Sequence, residues 1–521
     1  MSLASLAGCG GIVRDSRAGD AGTSRGGTAA SVVTGDFAAL AERDDCPVGA
    51  SIDVDWQLEN PALGREIEGY ASATSVNHGE PIDVYVSTRS VAFTADVYRM
   101  GWYGGAGAEK VLGPLSFPGR LQPDPALDEN GEADCGWIDP FTIPTTGDWK
   151  SGAYLVKLTT VPDGKQRYVT FVVRDDGSTA PLLFQTSVTT YQAYNEWGGR
   201  SLYTLPKAAY KVSFNRPYDD GRYGDGGGAG HFLYWEYPML RWLERQGYDV
   251  TYSTDVDTHE RGSLLLNHRA FLSVGHDEYW TRQQRQNVEA ARDAGVNLGF
   301  FSANTCYWQI RLEPDARGNP DRRIVCYKLD APSTDPAAKS AATFDDVTTE
   351  FRLPHLGLGG NGEEWLIGVQ YFYGKLQGDT AGWRVQDPTN WIFAGTDAKE
   401  GDVLPKTLGY EVDTVLTVPG DLEQTATTEL ADLHLLHQNG VIVAHSPYPY
   451  SQDGRTEYAD STVYQAASGA IVFATGTVQW AWGLSSCGTA YPTRSGPTLS
   501  AQRITRNVLD AMISGTTDLR R

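Results

Sequence analysis

The chain has 521 residues, 40% hydrophobic and 21% charged, which excludes wholesale disorder. Its 43 basic and 65 acidic side chains leave a formal charge of −22, which argues against a nucleic-acid partner and against a broad dock on anionic lipid. No run approaches the ~20 apolar residues of a membrane-spanning helix, and the length suits two to four domains of roughly 150 residues each.

Residues 1–45 read as a flexible N-terminal segment. Leu6-Ala7-Gly8-Cys9 has the form of a lipobox, although the basic and apolar regions of a signal peptide are missing before it. Residues 10–36 are rich in Gly, Ser, Ala and Thr, as in a tether. These features, with abundant Gly, Trp and Tyr, place the protein outside the cytoplasm, secreted or lipid-anchored at Cys9. An ordinary disordered tail is the other reading.

Residues 46–176 alternate or are β-branched in IDVYVSTRS, FTADVYRMGWY, AYLVKLTTV and RYVTFVVRDD, with turn signals between them. An antiparallel, Ig-like β-sandwich is expected there. Residues 177–515 change pattern. LLFQTSVTTYQAYN, VTYSTDVDT, AFLSVGHDEYW and NLGFFSANTCYW read as strands running into polar loops. YPMLRWLERQGYDV and RQQRQNVEAARDAG read as helices closed by Gly247 and Gly295. The fold class is therefore α/β, a mostly parallel sheet with helices on both faces. Residues 313–365 are loop-rich, and VQYFYGK, WRVQD and WIFAGT suggest an inserted β subdomain. Further strands are expected over 408–416, 440–447 and 469–476, and a closing helix over 498–514. Among six cysteines, Cys306 is expected to pair with Cys326, and Cys46 with Cys135. No CxxC or Cys/His spacing marks a thiolate metal site.

Ligands of open parallel sheets bind at the carboxyl ends of strands. That rule singles out Tyr191–Gly199, Gly275–Trp280, Ser302–Thr305 and Gly409–Asp413. His276 and Glu278, two apart on a turn, suit general acid–base work or metal ligation. The plainer alternative has His276 satisfying backbone groups and Glu278 capping the helix that begins near Thr281. No G-x-S-x-G elbow, strand-borne G-x-G-x-x-G or P-loop is present. Gly224–Gly230 reads as a mobile loop rather than a phosphate cradle.

The runs SVTTYQAYNEWGGRSLY, VSFNRPY, YWEYPMLRWLERQGYDVTY, SVGHDEYW, FFSANTCYWQIR and LGYEVD, in that order, resemble the large (β) subunit of N,N-dimethylformamidase. The similarity covers roughly residues 180–510, that family's catalytic domain. It implies a core related to class I glutamine amidotransferases and hydrolysis of a small amide substrate. It also implies one Fe(III) per chain held by two tyrosines and a glutamate, and a small partner subunit or homo-oligomer. Carried across by motif, Glu278 is the glutamate ligand, Tyr194 one tyrosine ligand and Tyr237 the other, with Tyr234 behind it. His276, Asn304 and Glu411 match the catalytic set. The family's GHPEY turn is GHDEY here, which puts the extra charge of Asp277 beside the site. The rival class is a cell-surface binding protein for a sugar or small polar ligand, with Tyr218, Tyr223 and Trp235 as an exposed aromatic platform.

Overall fold

The computed structural model describes residues 55–219, 227–352, 362–378, 380–415, 439–485 and 498–517. The expected tether, Cys9, Cys46, Cys487, Tyr223 and residues 224–226 of the glycine-rich run lie outside them.

The central sheet has seven strands. Their spatial order is Val250–Thr254, Leu182–Thr186, Ala270–His276, Asn297–Ala303, Ile471–Ala474, Thr456–Gln465 and Val441–Pro449. Neighbours among the first five are parallel, and the last two join antiparallel. Parallel strands are buried on both faces, and their side chains divide by alternation. Leu182, Phe184 and Leu272 enter one apolar cluster, while Leu183, Phe271 and Leu298 enter another. Helices Tyr237–Arg245 and Leu499–Ser514 cover the first face through Met239, Trp242, Leu509 and Met512. Helix Arg282–Asp293 covers the second through Val288 and Ala291. Gly247, two residues past its helix, sits at φ +80, where a C-terminal cap needs a residue without a Cβ. The α/β class follows from this mixed, largely parallel sheet.

Before the α/β region, a five-stranded and a three-stranded sheet share one apolar cluster. Ile67, Val84 and Ile143 of the smaller sheet meet Val97, Val156 and Phe171 of the larger one there.

Several local expectations are overturned. The loop after VTYST is helix Asp255–Glu260, started by a capping box in which Thr254 and Asp257 bond each other's backbone N–H. WIFAGT is a 3-10 turn, because the Asn390 side chain accepts from Ile392 N–H and caps it. The other two short strands form, Gln370–Lys375 pairing with Glu411–Thr414 and Ala381–Arg384 with Val403–Leu408. Cys306 and Cys326 do not pair, and they and Cys135 are buried free thiols. The register Arg311↔Val325 sets Cys326 opposite Ile310 of the strand Trp308–Glu313, four residues beyond Cys306. The two thiols lie in different apolar clusters.

Gly275 bends the central strand just before His276. Its φ is +73, and a Cβ there would stand 2.5 Å from Trp235 Cβ. Gly275→Ala is expected to lose about 1–3 kcal/mol through backbone strain alone, with overpacking against Trp235 adding to it. Equilibrium denaturation of the two proteins measures the difference.

Candidate active site

Four segments end at the carboxyl edge of the parallel strands. The strand Ala270–His276 stops at His276, and the chain turns through Asp277 and Glu278 into helix Arg282–Asp293. Thr281 caps that helix, its hydroxyl accepting from Gln284 N–H. Glu278 is therefore not the cap, and its side chain turns inward. Successive side chains in extended chain face opposite ways, so His276 and Glu278 share one side and Asp277 takes the other. The Asp277 carboxylate accepts from Ser273 Oγ at 2.8 Å, Gln185 Nε2 at 2.9 Å and Trp280 Nε1 at 2.8 Å. The extra charge of GHDEY is thus spent inside the sheet and does not face the site.

Glu278 is 3% exposed. Its Oε2 accepts from the Tyr194 hydroxyl at 2.8 Å and lies 3.3 Å from His276 Nε2. Its Oε1 accepts from the Tyr203 hydroxyl at 2.7 Å and Trp308 Nε1 at 2.9 Å. Tyr194 is the last residue of helix Val188–Tyr194, and its ring stacks on Tyr203 with centroids 4.4 Å apart. The Glu278 amide donates to Thr190 Oγ1 of the same helix at 2.9 Å, which fixes turn and helix together.

His276 Nε2 also lies 3.1 Å from Glu411 Oε2, and the Asn304 amide donates to that oxygen at 3.2 Å. Lys375 Nζ is 3.4 Å from Glu411 Oε1. Asn304 follows the strand Asn297–Ala303 at φ +50, a conformation Asn tolerates, and its N–H donates to Asp413 Oδ1 at 2.8 Å. Burial pulls the His276 imidazole down, but Glu411 and then Glu278 outweigh it and hold its pKa up at about 10. Burial pulls Glu411 up, but His276 and then Lys375 outweigh it and hold the carboxyl down at about 2. His276 and Glu411 are thus a buried ion pair at neutral pH.

The structure brings Tyr194, His276, Glu278, Asn304 and Glu411 together. It does not bring Tyr237, whose hydroxyl donates to the Gly107 carbonyl at 2.8 Å while its ring packs on Trp56 and Phe232. Tyr234, the reserve choice, packs edge-on against Trp235 and Trp482. The tyrosine that joins Tyr194 on Glu278 is Tyr203, the closing residue of SVTTYQAYNEWGGRSLY. Trp308, in the run FFSANTCYWQIR, is the indole that joins them on Glu278. Trp235 is 1% exposed and stacks on Trp482, so it is no surface platform. Among the described residues, no group of three or more His, Cys, Asp and Glu is arranged to hold a metal ion. The oxygens of Tyr194, Tyr203 and Glu278 are instead joined to one another by hydrogen bonds through the carboxylate.

Comparison with known proteins gives a family match over residues 94–493, to the family described as N,N-dimethylformamidase beta subunit-like, C-terminal. The N,N-dimethylformamidase beta subunit of Alcaligenes sp is 24% identical over 418 residues, 68% of this chain and 52% of that one. That of Paracoccus aminophilus is 25% identical over 442 residues, 72% of this chain and 54% of that one. The chain spans about half the length of the curated relatives it matches. A family 123 glycoside hydrolase from Clostridium perfringens overlaps at 10% identity and a TM-score of 0.11, over 52% of this chain and 53% of that one, too weakly to carry any argument.

The ion pair makes stability depend on pH. His276 is raised above 6.5, so its contribution is complete below that value and is lost as pH rises through about 10. Glu411 is lowered from 4.5, so its contribution is complete above that value and is lost as pH falls through about 2. Urea denaturation from neutral pH to about 10 should show a steeper loss of stability in the wild type than in Glu411→Gln.

Proposed function

The chain belongs to the N,N-dimethylformamidase beta subunit-like family, and from that premise we propose that it hydrolyses the C–N bond of a small amide. The observation that carries this reading is the convergence of the Tyr194 and Tyr203 hydroxyls on the two oxygens of Glu278, with His276 alongside. The five parallel strands with the site at their carboxyl ends support relating the core to class I glutamine amidotransferases. Both curated relatives are named as beta subunits, so a partner subunit is part of the same proposal.

The donor set fits a ferric ion. Two phenols and a carboxylate are hard oxygen donors, each phenol within hydrogen-bond distance of one carboxylate oxygen, and together they can carry three negative charges. Tyr194, Tyr203 and Glu278 would hold the ion, which would supply Lewis acidity toward the amide carbonyl. Tyr203 takes the place that motif matching assigned to Tyr237.

The chain's own groups supply the proton chemistry. His276, 3.1 Å from the Glu411 carboxylate, enters as the proton donor to the departing nitrogen. Glu411 keeps it charged and oriented. The Asn304 side chain, buried beside both, has an Nδ2 donor, held 3.2 Å from Glu411 Oε2, that can turn toward the reacting carbonyl oxygen.

Iron-supplemented protein should contain about one iron per chain and show a phenolate-to-iron absorption band in the visible. Tyr194→Phe and Tyr203→Phe should each weaken and shift that band, the double variant should lose it, and Tyr237→Phe should keep it unchanged. Iron retained at wild-type level by Glu278→Gln would sink the ligand assignment. With iron in place, His276→Ala should hydrolyse N,N-dimethylformamide some 10²–10⁴-fold more slowly. Wild-type turnover by that variant would remove the donor role.

A further inference from the structure

Lys328 sits against the same aromatic wall. Its backbone lies at φ +53, in the left-handed region that a lysine seldom adopts. The side chain reaches back so that Nζ donates to the Leu202 carbonyl at 3.0 Å. From there Nζ lies 3.2 Å from the Tyr203 ring centroid, 5.3 Å from Trp308 and 5.6 Å from Tyr279. The Tyr203 and Tyr279 rings stand at 84° with centroids 6.3 Å apart, so they make a corner. All three distances are within the roughly 6 Å over which a cation is drawn to a ring face.

The rings are also tied to one anion. Tyr203 and Trp308 donate directly to Glu278 Oε1, and the Tyr279 hydroxyl bonds that of Tyr203 at 2.5 Å. A ring whose polar edge donates to a carboxylate keeps an electron-rich face, and the buried carboxylate adds its own field. The corner therefore favours a positive charge for two independent reasons, and an ammonium occupies it.

We propose that Lys328 is the resident cation of an aromatic cage formed by Tyr203, Tyr279 and Trp308, and that by filling the cage it keeps external ammonium groups out of the Glu278 site. Without it, a buried carboxylate behind three ring faces would select cationic ligands. That the excluded ammonium would belong to a substrate rests on the hydrolase reading, whereas the cage itself does not.

Calorimetry with tetramethylammonium chloride on the metal-free, full-length protein tests the cage. Lys328→Ala should bind the probe at least about tenfold more tightly than wild type. Lys328→Arg, which keeps a cation there, should match wild type. Near-UV circular dichroism checks that each variant is folded, and Lys328→Gln serves if the alanine variant is not. Equal, weak binding by wild type and by the folded neutral variant would overturn the proposal, as would tight binding by wild type. Failure of the hydrolase reading would show separately, as absence of iron or of amide turnover, and would leave this measurement unaffected.

Discussion

A single carboxylate taken almost wholly out of water organises the functional end of the molecule. An ionised group buried without partners costs several kcal/mol, so Glu278 requires compensation on both oxygens. Two phenol hydroxyls, an indole N–H and a charged imidazole supply it. Those groups come from the end of a helix, an irregular segment, a strand of a second sheet and the end of the central strand. None of these elements can move without uncovering the charge.

The sheet makes this convergence possible because its strands stop in step. His276 and Ala303 are register partners at the ends of their strands, so Asn304 begins where His276 ends. Gly275 and Asn304 then take left-handed backbone conformations that turn the chain at once. Alternation does the rest by sending His276 and Glu278 one way and Asp277 the other. Two like charges side by side in sequence are separated by the pleat, with Asp277 held by three donors of its own. Strain at the strand ends is carried by the apolar clusters on both faces of the sheet.

What the sequence makes legible follows from what is local. Apolar runs broken by polar turns mark the parallel strands, and helical spacing marks the covering helices, because burial imposes those periods. The rule that sites lie at strand ends finds His276, Glu278, Asn304 and Glu411. Tyr203 escapes it because it belongs to no element and is placed by tertiary contacts alone. The strand Thr456–Gln465 escapes because Asp460 and Ser461 interrupt its apolar pattern. In the fold Asp460 accepts from Val415 N–H and Thr414 Oγ1 and pairs with His445. The cysteine pairing fails for a related reason: proximity in sequence says nothing about the register of the hairpin between them.

Tyr237 shows why a motif residue can be prominent and still lie outside the site. It begins the helix whose apolar face covers the central sheet, and its hydroxyl crosses to the Gly107 carbonyl of the preceding β region. Trp56 Nε1 donates to the neighbouring Ala106 carbonyl, and Arg99 pairs with Glu244 at the far end of that helix. Arg174 likewise pairs with Asp257, which itself closes the capping box at Thr254. The β region is therefore tied to the α/β region through buried polar groups that would each be left unsatisfied if the two parted. One of those ties ends on the helix following the edge strand Val250–Thr254, and another on the helix Tyr237–Arg245 that packs the face of the sheet. The β region thus fixes the elements that position the strand ends, and the motif WEYP records that packing as much as any chemistry.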